Sequence, residues 1–274
     1  MSHADLYFQA NEQLLLENLI SIEEEYFNTL DKSYWNESYQ NISFVEWKAV
    51  LSQNGYDINR IKRNRNRQSM RQYFYQGEYL TPEINALDPH WLLSPFVITC
   101  LRVDEMGKQE FENRRYVMYF FSENNLFAID YFIRHFDKIE DEDKYEAFKS
   151  MYIHCNYGFE LFPEEILDKV FALADNSQGV QELEGAAVAD DEGYVTIYRG
   201  EGARSTPVTK AHSWTLSVEI ANRFGHFFEA GTVYQGKVKL EKIIDFISER
   251  NEEEIWVRYS DIQDVRILAS DDEE

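Results

Sequence analysis

Apolar residues recur at helical spacing along the first two thirds of the chain. Those at positions 14, 15, 19 and 20 are followed by acidic residues, which predicts an amphipathic helix over residues 10–30. Ser43 and Glu46 have the spacing of a capping box and predict a helix that continues through Leu51. The residues up to about 185 are therefore predicted to be mainly helical.

Two further segments extend this helical part. Residues 114–136 are heavily aromatic and are predicted to lie at the centre of its core. Pro163 is followed by two glutamates, which predicts a helix start, because proline fits the first turn and acids complement the helix dipole. Pro82, Pro89 and Pro95 interrupt the pattern and predict a boundary between helical groups.

The pattern changes at about residue 176. Residues 176–193 are small, polar and acidic, which predicts a loop, and short strand-like runs follow it. Residues 218–228 keep helical spacing and predict one short helix among the strands. The last third is thus predicted to be predominantly β, with strands at 194–199, 212–217, 231–240, 254–259 and 264–268.

Composition places limits on the class of protein. Apolar residues make up 44% and aromatic residues 15% of 274 residues, which excludes a disordered or fibrous chain. Cys100 and Cys155 cannot form a disulfide framework. No apolar run is long enough to span a bilayer, and the start of the chain does not resemble a signal peptide. We therefore expect a cytoplasmic protein with no membrane partner.

The net charge of −23 repels nucleic acids and anionic membranes at long range. One segment, 60–72, departs from this balance, because it carries six cations and no acid. It is interpreted in one of two ways: as a solvated helix face or a contact for the acidic surface, or as an anion-binding surface. In the second case the residues expected to contact nucleic acid are Arg60, Arg63, Arg65 and Arg67.

Three short motifs in the last third carry the candidate chemistry. Arg199 follows a tyrosine and precedes a glycine at the end of one predicted strand. Ser213 begins a Ser-Trp-Thr triplet in the next strand, and Glu254 ends a run of three glutamates that enters a later strand. Taken singly, they read as an edge arginine, a hydroxyl-lined strand and a solvated acidic turn.

In this order and at this spacing, the motifs resemble the Arg-Ser-Glu class of mono-ADP-ribosyltransferases, which includes many bacterial toxins. Arg199 and Ser213 are 14 residues apart, and Ser213 and Glu254 are 41 apart. The intervening Ala-x-x-Phe helix and the GTVYQGKV strand also look like the family. The resemblance covers residues 194–268, about a quarter of the chain.

The resemblance implies an α+β fold. A helical N-terminal part is followed by an ADP-ribosyltransferase-type core of two packed, mainly antiparallel sheets. The expected organisation is a helical region over 1–90 and an ADP-ribosyltransferase domain over 91–274. Within that domain, helices are expected over 91–180 and a β-rich NAD-binding core over 190–268.

The resemblance also implies NAD as the substrate, with no metal. Nicotinamide leaves as a neutral molecule, so the group that needs stabilising is the ribose, which becomes positively charged. Glycosidases use a carboxylate for the same cation, and here the motif assigns that role to Glu254. Arg199 would bind the diphosphate, and Gly200 would allow the backbone to approach nicotinamide. Ser213 would orient Glu254 through a hydrogen bond.

The remaining site residues are expected to support binding and transfer. Thr215 and Phe224 are expected to be structural or to line the NAD site. Glu252 shares one side of an extended chain with Glu254, and the family assigns this earlier position to activation of the acceptor. Trp214 should point into the core from the other face of its strand.

Three functions from different classes follow. The first is a mono-ADP-ribosyltransferase acting on a protein side chain such as arginine or on a nucleic-acid base, as an intracellular toxin or a phage- or defence-related modifier. Such toxins often have an inhibitory partner protein, although no residue here identifies one. The second is an NAD glycohydrolase that depletes NAD. The third is a non-catalytic interaction module with the same fold.

Overall fold

A computed structural model describes most of the chain as a mixture of helices and antiparallel strands, which confirms the α+β class. The strands form one three-stranded sheet and one six-stranded sheet. The described residues are 15–66, 69, 71–122, 127–154, 159–174, 181–183, 189–202, 205–226, 231–248 and 251–268.

The chain divides into two structural units near residue 140. The first comprises Met1–Ile139 with Ser150–Asn156, and the second comprises Glu140–Lys149 with Tyr157–Glu274. The expected boundary at residue 90 does not coincide with this division. Each sheet lies within one unit.

The first unit contains more β-structure than its apolar spacing predicts. In the described part of 10–30, Leu19–Ser21 form a strand that pairs with the strand at 61–64. The predicted helix is wrong there, because pairing with a strand distant in sequence overrides local spacing. The helices are α1 (Glu24–Asn28), α2 (Phe44–Gln53), α3 (Pro89–Leu92), α4 (Pro95–Cys100), α5 (Val103–Glu112), α6 (Tyr116–Ser122) and α7 (Ala128–His135), and the strands are β1 (Leu19–Ser21), β2 (Ile61–Asn64) and β3 (Tyr73–Tyr75).

In this unit, the helix start that the capping box of Ser43 and Glu46 predicts is confirmed. The amide of Glu46 donates to Ser43 Oγ at 3.3 Å, and the amide of Ser43 donates to Glu46 Oε2 at 2.9 Å, which completes the capping box of α2. Pro89 and Pro95 each open a helix, as residues preset for the first turn. The aromatic segment 114–136 contributes buried side chains to the core, as predicted.

The second unit is built on the six-stranded sheet, whose strand order is β7-β8-β5-β4-β6-β9. The first part of α8 (Asp141–His154) belongs to this unit. The described residues of this unit also include the helices α9 (Glu164–Ala172) and α10 (Val218–Gly225), with residues 181–183 helical as well. The strands described here are β4 (Tyr194–Glu201), β5 (Ser213–Thr215), β6 (Thr232–Lys239), β7 (Asp245–Ile247), β8 (Glu254–Trp256) and β9 (Ile262–Ile267). The sequence did not predict β7.

Short 3-10 turns connect several of these elements. They lie at Leu16–Asn18, Glu37–Tyr39, Ile58–Arg60, Phe136–Lys138, Phe159–Leu161, Val208–Lys210, Leu240–Lys242 and Tyr259–Asp261.

The six-stranded sheet consists of two halves of three strands each, β7-β8-β5 and β4-β6-β9. Strands β4 and β6 pair along eight residues each, whereas the register between β4 and β5 pairs Tyr198 with Thr215. Ladder hydrogen bonds are therefore sparse where the halves meet. One face of the sheet carries an apolar cluster that includes Val195, Ile197 and Trp214. This cluster is the core against which the strands of the candidate site are held.

Candidate functional site

The strands that carry Arg199, Ser213 and Glu254 are adjacent in the second unit. Strand β5 lies between β4 and β8, so the serine strand separates the arginine strand from the glutamate strand. The register places Thr215 opposite both Glu254 and Tyr198. Motifs that are up to 55 residues apart in sequence therefore meet on three neighbouring strands.

Glu254 is buried, with 3% of its surface exposed. Its Oε1 accepts a hydrogen bond from Nε1 of Trp256 at 3.2 Å. Burial of a carboxylate opposes folding, because the charge loses its hydration. A carboxylate retained in such a position is a candidate functional group.

Thr215 lies directly opposite Glu254, and its hydroxyl is engaged with the backbone. Its Oγ1 donates to the carbonyl oxygen of Glu252 at 2.7 Å and accepts from the amide of Ser217 at 3.1 Å. These bonds fix the segment that precedes β8. Thr215 therefore has a structural role here, which is one of the two roles expected for it.

Ser213 is partly buried and lies opposite Trp256, one cross-strand position away from Glu254. The hydrogen bond described above reaches the Glu254 carboxylate from Trp256. Orientation of Glu254 by Ser213 stays a prediction. In the register of β5 and β8, the residue directly opposite Glu254 is Thr215.

The side chain of Arg199 binds a backbone carbonyl oxygen of the strand that carries Ser213. Its Nη1 donates to the carbonyl oxygen of Ser213 at 2.7 Å, and its Nη2 donates to the carbonyl oxygen of Thr206 at 2.9 Å. Because Tyr198 shares a sheet face with Thr215 and Glu254, Arg199 leaves its strand on the opposite face. The guanidinium of Arg199 therefore reaches the Ser213 backbone. The side chains of Arg199 and Glu254 nevertheless leave their strands on opposite faces of the sheet.

Glu252 precedes β8 in a turn that is not extended. Asn251 and Glu253 have φ angles of 53° and 45°, in the left-handed region. Contrary to the sequence prediction, Glu252 and Glu254 are therefore not placed on one side by strand alternation. The backbone of Glu252 is nevertheless held next to Glu254 by Thr215. Glu253 is exposed, as expected.

Helix α10 covers the backbone at Gly200. A Cβ atom at this position would overlap the carbonyl oxygen of Ala221 and the amide nitrogen of Gly225. Close packing of the helix therefore explains the glycine, and approach of a ligand to Gly200 stays a prediction. Phe224, on the same helix, is 43% exposed, with the guanidinium of Arg223 5.2 Å from its ring centroid.

Trp214 is 2% exposed and packs in the apolar cluster, which confirms that it points into the core. His212 precedes Ser213 and contacts the carbonyl oxygen of Val257 through Nδ1 at 3.3 Å. Burial lowers the pKa of the His212 imidazole, because the charged form of the ring would lose its hydration.

The sequence did not predict a second buried carboxylate, which lies on β7, the strand that pairs with the Glu254 strand. Asp245 is 2% exposed, accepts from the hydroxyl of Tyr145 and forms an ion pair with Lys149 at 3.1 Å. It lies opposite Trp256 in the register. Its partners come from α8, about a hundred residues earlier, so only the tertiary pairing reveals the contact.

Within the basic segment, Ile61–Asn64 form strand β2 of the first unit, so the interpretation as a helix face is wrong there. Arg60 pairs with Asp104 at 2.8 Å, and the guanidinium of Arg63 lies 4.3 Å from the ring centroid of Tyr26. Arg63 is only 8% exposed. Arg65 is exposed, and Arg67 lies outside the described residues. Arg60 and Arg63 therefore act in internal packing, which does not support them as nucleic-acid contacts.

We expect Arg63→Met to change the free energy of unfolding by less than about 1 kcal/mol. Arg63 has no ion pair within the described residues, so a long apolar side chain relieves the cost of its buried charge and offsets the lost contact with Tyr26. Arg60→Met is the matched control and should cost about 1–2 kcal/mol, because Asp104 loses its cation. Urea denaturation measures both, and a loss above about 3 kcal/mol in Arg63→Met would contradict this account.

Comparisons with protein-family models, with curated proteins and with solved structures found no match to this chain. Across the residues that the structure describes, no helix is long and apolar enough to cross a membrane. The same residues contain no cluster of three or more His, Cys, Asp or Glu side chains placed to hold a metal ion.

Proposed function

We propose that this chain is an NAD-dependent mono-ADP-ribosyltransferase that acts on a macromolecular acceptor. The observation that carries the proposal is the buried carboxylate of Glu254 on a strand adjacent to the Ser213 strand, which in turn adjoins the Arg199 strand. The adjacency of the three strands that carry the motifs supports the proposal. The proposed setting is a cytoplasmic toxin or a phage- or defence-related modifier.

The proposed reaction breaks the bond between C1′ of the ribose and the nicotinamide nitrogen. The bonding electrons leave with nicotinamide, which becomes neutral, and C1′ gains positive charge. The Glu254 carboxylate stabilises that charge in a site from which water is largely excluded, where electrostatic attraction is strong. A nucleophile of the acceptor then bonds to C1′ and loses its proton.

Arg199 is proposed to bind the diphosphate of NAD while supporting the site. Its bond to the Ser213 carbonyl oxygen holds the cation at the strand next to Glu254. A guanidinium has five N–H donors in a fixed plane, which suits simultaneous contacts with backbone carbonyls and phosphate oxygens. Its bond to Thr206 also fixes the segment that follows β4.

The test is incubation of the purified chain with a cell lysate and NAD labelled in its adenylate phosphate. We expect nicotinamide release and label attached to macromolecules. Digestion of separate aliquots with protease, RNase or DNase then shows which acceptor class carries the label. Label recovered only as free ADP-ribose would replace the proposal with NAD hydrolysis, and an absence of nicotinamide release would overturn it.

Glu252→Gln is expected to lower ADP-ribose transfer at least about tenfold more than it lowers NAD hydrolysis. The carboxylate would accept the proton that the acceptor loses, whereas water needs less assistance from a fixed base. Thr215 holds the Glu252 backbone next to Glu254 independently of the side chain, so the substitution should not displace the turn. Transfer and hydrolysis are measured in one reaction, and equal losses would contradict this role.

A further inference from the structure

We infer that Trp256 is the positioning residue for the Glu254 carboxylate, an inference that rests on the function proposed above. The indole Nε1–H donates to Glu254 Oε1 at 3.2 Å. Trp256 is 0% and Glu254 3% exposed, so water does not compete effectively for this bond. A hydrogen bond to a charged acceptor in such surroundings restricts the directions that the carboxylate can take.

The indole is itself held in place by aromatic rings from two helices. Its ring centroid lies 6.2 Å from Tyr145 and 5.5 Å from Phe148, both on α8, with edge-on geometry. Phe171 of α9 lies at 6.3 Å. Because these rings restrict rotation of the indole, its N–H has a fixed direction. The orientation of Glu254 thus depends on how α8 and α9 pack against β8.

The hydroxyl directly opposite Glu254 cannot take this role alone. Thr215 Oγ1 donates its proton to the Glu252 carbonyl oxygen, and a hydroxyl has only one proton to donate. The indole, two residues after Glu254 on the same face of β8, supplies the donor to the carboxylate. This assignment differs from the sequence prediction, which gave the orientation of Glu254 to Ser213.

Trp214 provides a matched control on the neighbouring strand. It lies opposite Ile255 in the register and packs on the other face of the sheet. It is also buried, at 2% exposure, but its Nε1 has no hydrogen-bond partner within the described structure. Trp→Phe therefore removes similar packing at both positions, and at Trp256 alone it also removes a hydrogen bond to a carboxylate.

Steady-state NAD cleavage compares the two variants. Trp256→Phe should lower kcat about 10- to 100-fold, the loss expected for one hydrogen bond to a charged group, with KM for NAD within about twofold of wild type. Trp214→Phe should change kcat by less than about threefold. Equal losses of kcat in both variants would overturn the positioning role.

The indole N–H resonances give a readout that does not depend on turnover. In a ¹⁵N–¹H spectrum of the full chain, which has five tryptophans, the two Trp→Phe variants assign the Trp256 and Trp214 signals. Glu254→Gln should shift the Trp256 signal because its acceptor loses its charge, while the Trp214 signal moves less. An unshifted Trp256 signal would overturn the inference. An absence of nicotinamide release by wild type together with a shifted signal would overturn the function but keep the hydrogen bond.

Discussion

Glu254→Gln is expected to lower the rate of nicotinamide release by about 100- to 1000-fold. This range corresponds to roughly 3–4 kcal/mol, the cost of removing one charged or polar group that stabilises a transition state. The effect should fall on kcat, because attraction between the carboxylate and the ribose grows only as the ribose becomes positive. Nicotinamide release at saturating NAD measures it.

The substitution should leave the second unit folded. Glutamine has nearly the same shape, and its amide oxygen can still accept from Nε1 of Trp256. A neutral amide also costs less to bury than a carboxylate. Glu253→Gln is the matched control, because Glu253 is the neighbouring acid, is exposed and should leave turnover within about twofold of wild type. Undiminished turnover in Glu254→Gln would remove Glu254 from the mechanism.

Elements with strong local chemistry could be predicted from the sequence. The capping box of α2 is specified by two side chains three residues apart, so no distant contact is needed to define it. The first five residues of strand β4 alternate between partly buried and buried, and the start of α10 is capped by the side chain of Ser217. The strands on which the candidate site rests were accordingly predicted within a few residues.

Elements that depend on distant pairing could not be predicted in this way. Leu19 and Ile20 have helical spacing, but they pair with Asn64 and Arg63 of β2, which a local pattern cannot reveal. The same pairing places the buried Arg63 in a strand, where its charge lies against an aromatic ring. A run of cations in sequence therefore indicated an exposed surface, whereas Arg63 within that run is buried.

In the candidate site, too, some features could be predicted from the sequence and others could not. The order of Arg199, Ser213 and Glu254 along the chain predicted which strands matter, and these strands are adjacent. The bond from Trp256 to Glu254 follows from side-chain packing on one face of β8, and the left-handed residue before Glu254 breaks the expected alternation. Sequence order thus predicts neighbouring strands, whereas the direction of each side chain requires the register and the turns.

Gly200→Ala should destabilise the second unit by about 3 kcal/mol or more. The added methyl group would overlap backbone atoms of Ala221 and Gly225 in α10, and backbone atoms cannot move aside as a flexible side chain can. The helix would have to shift away from β4, next to Arg199. Equilibrium denaturation measures the loss, and hydrogen exchange of the β4 and α10 amides locates it.

Gly202→Ala is the control for this prediction, because it makes the same chemical change two residues later. Its Cβ would lie 3.6 Å from the carbonyl oxygens of Phe224 and Gly225, which is ordinary van der Waals contact. Its free energy of unfolding should therefore stay within about 1 kcal/mol of wild type. Equal stability of the two variants would contradict the packing of α10 against β4. A loss confined to Gly200→Ala would show that the strand carrying Arg199 requires glycine for helix packing, whether or not a ligand approaches it.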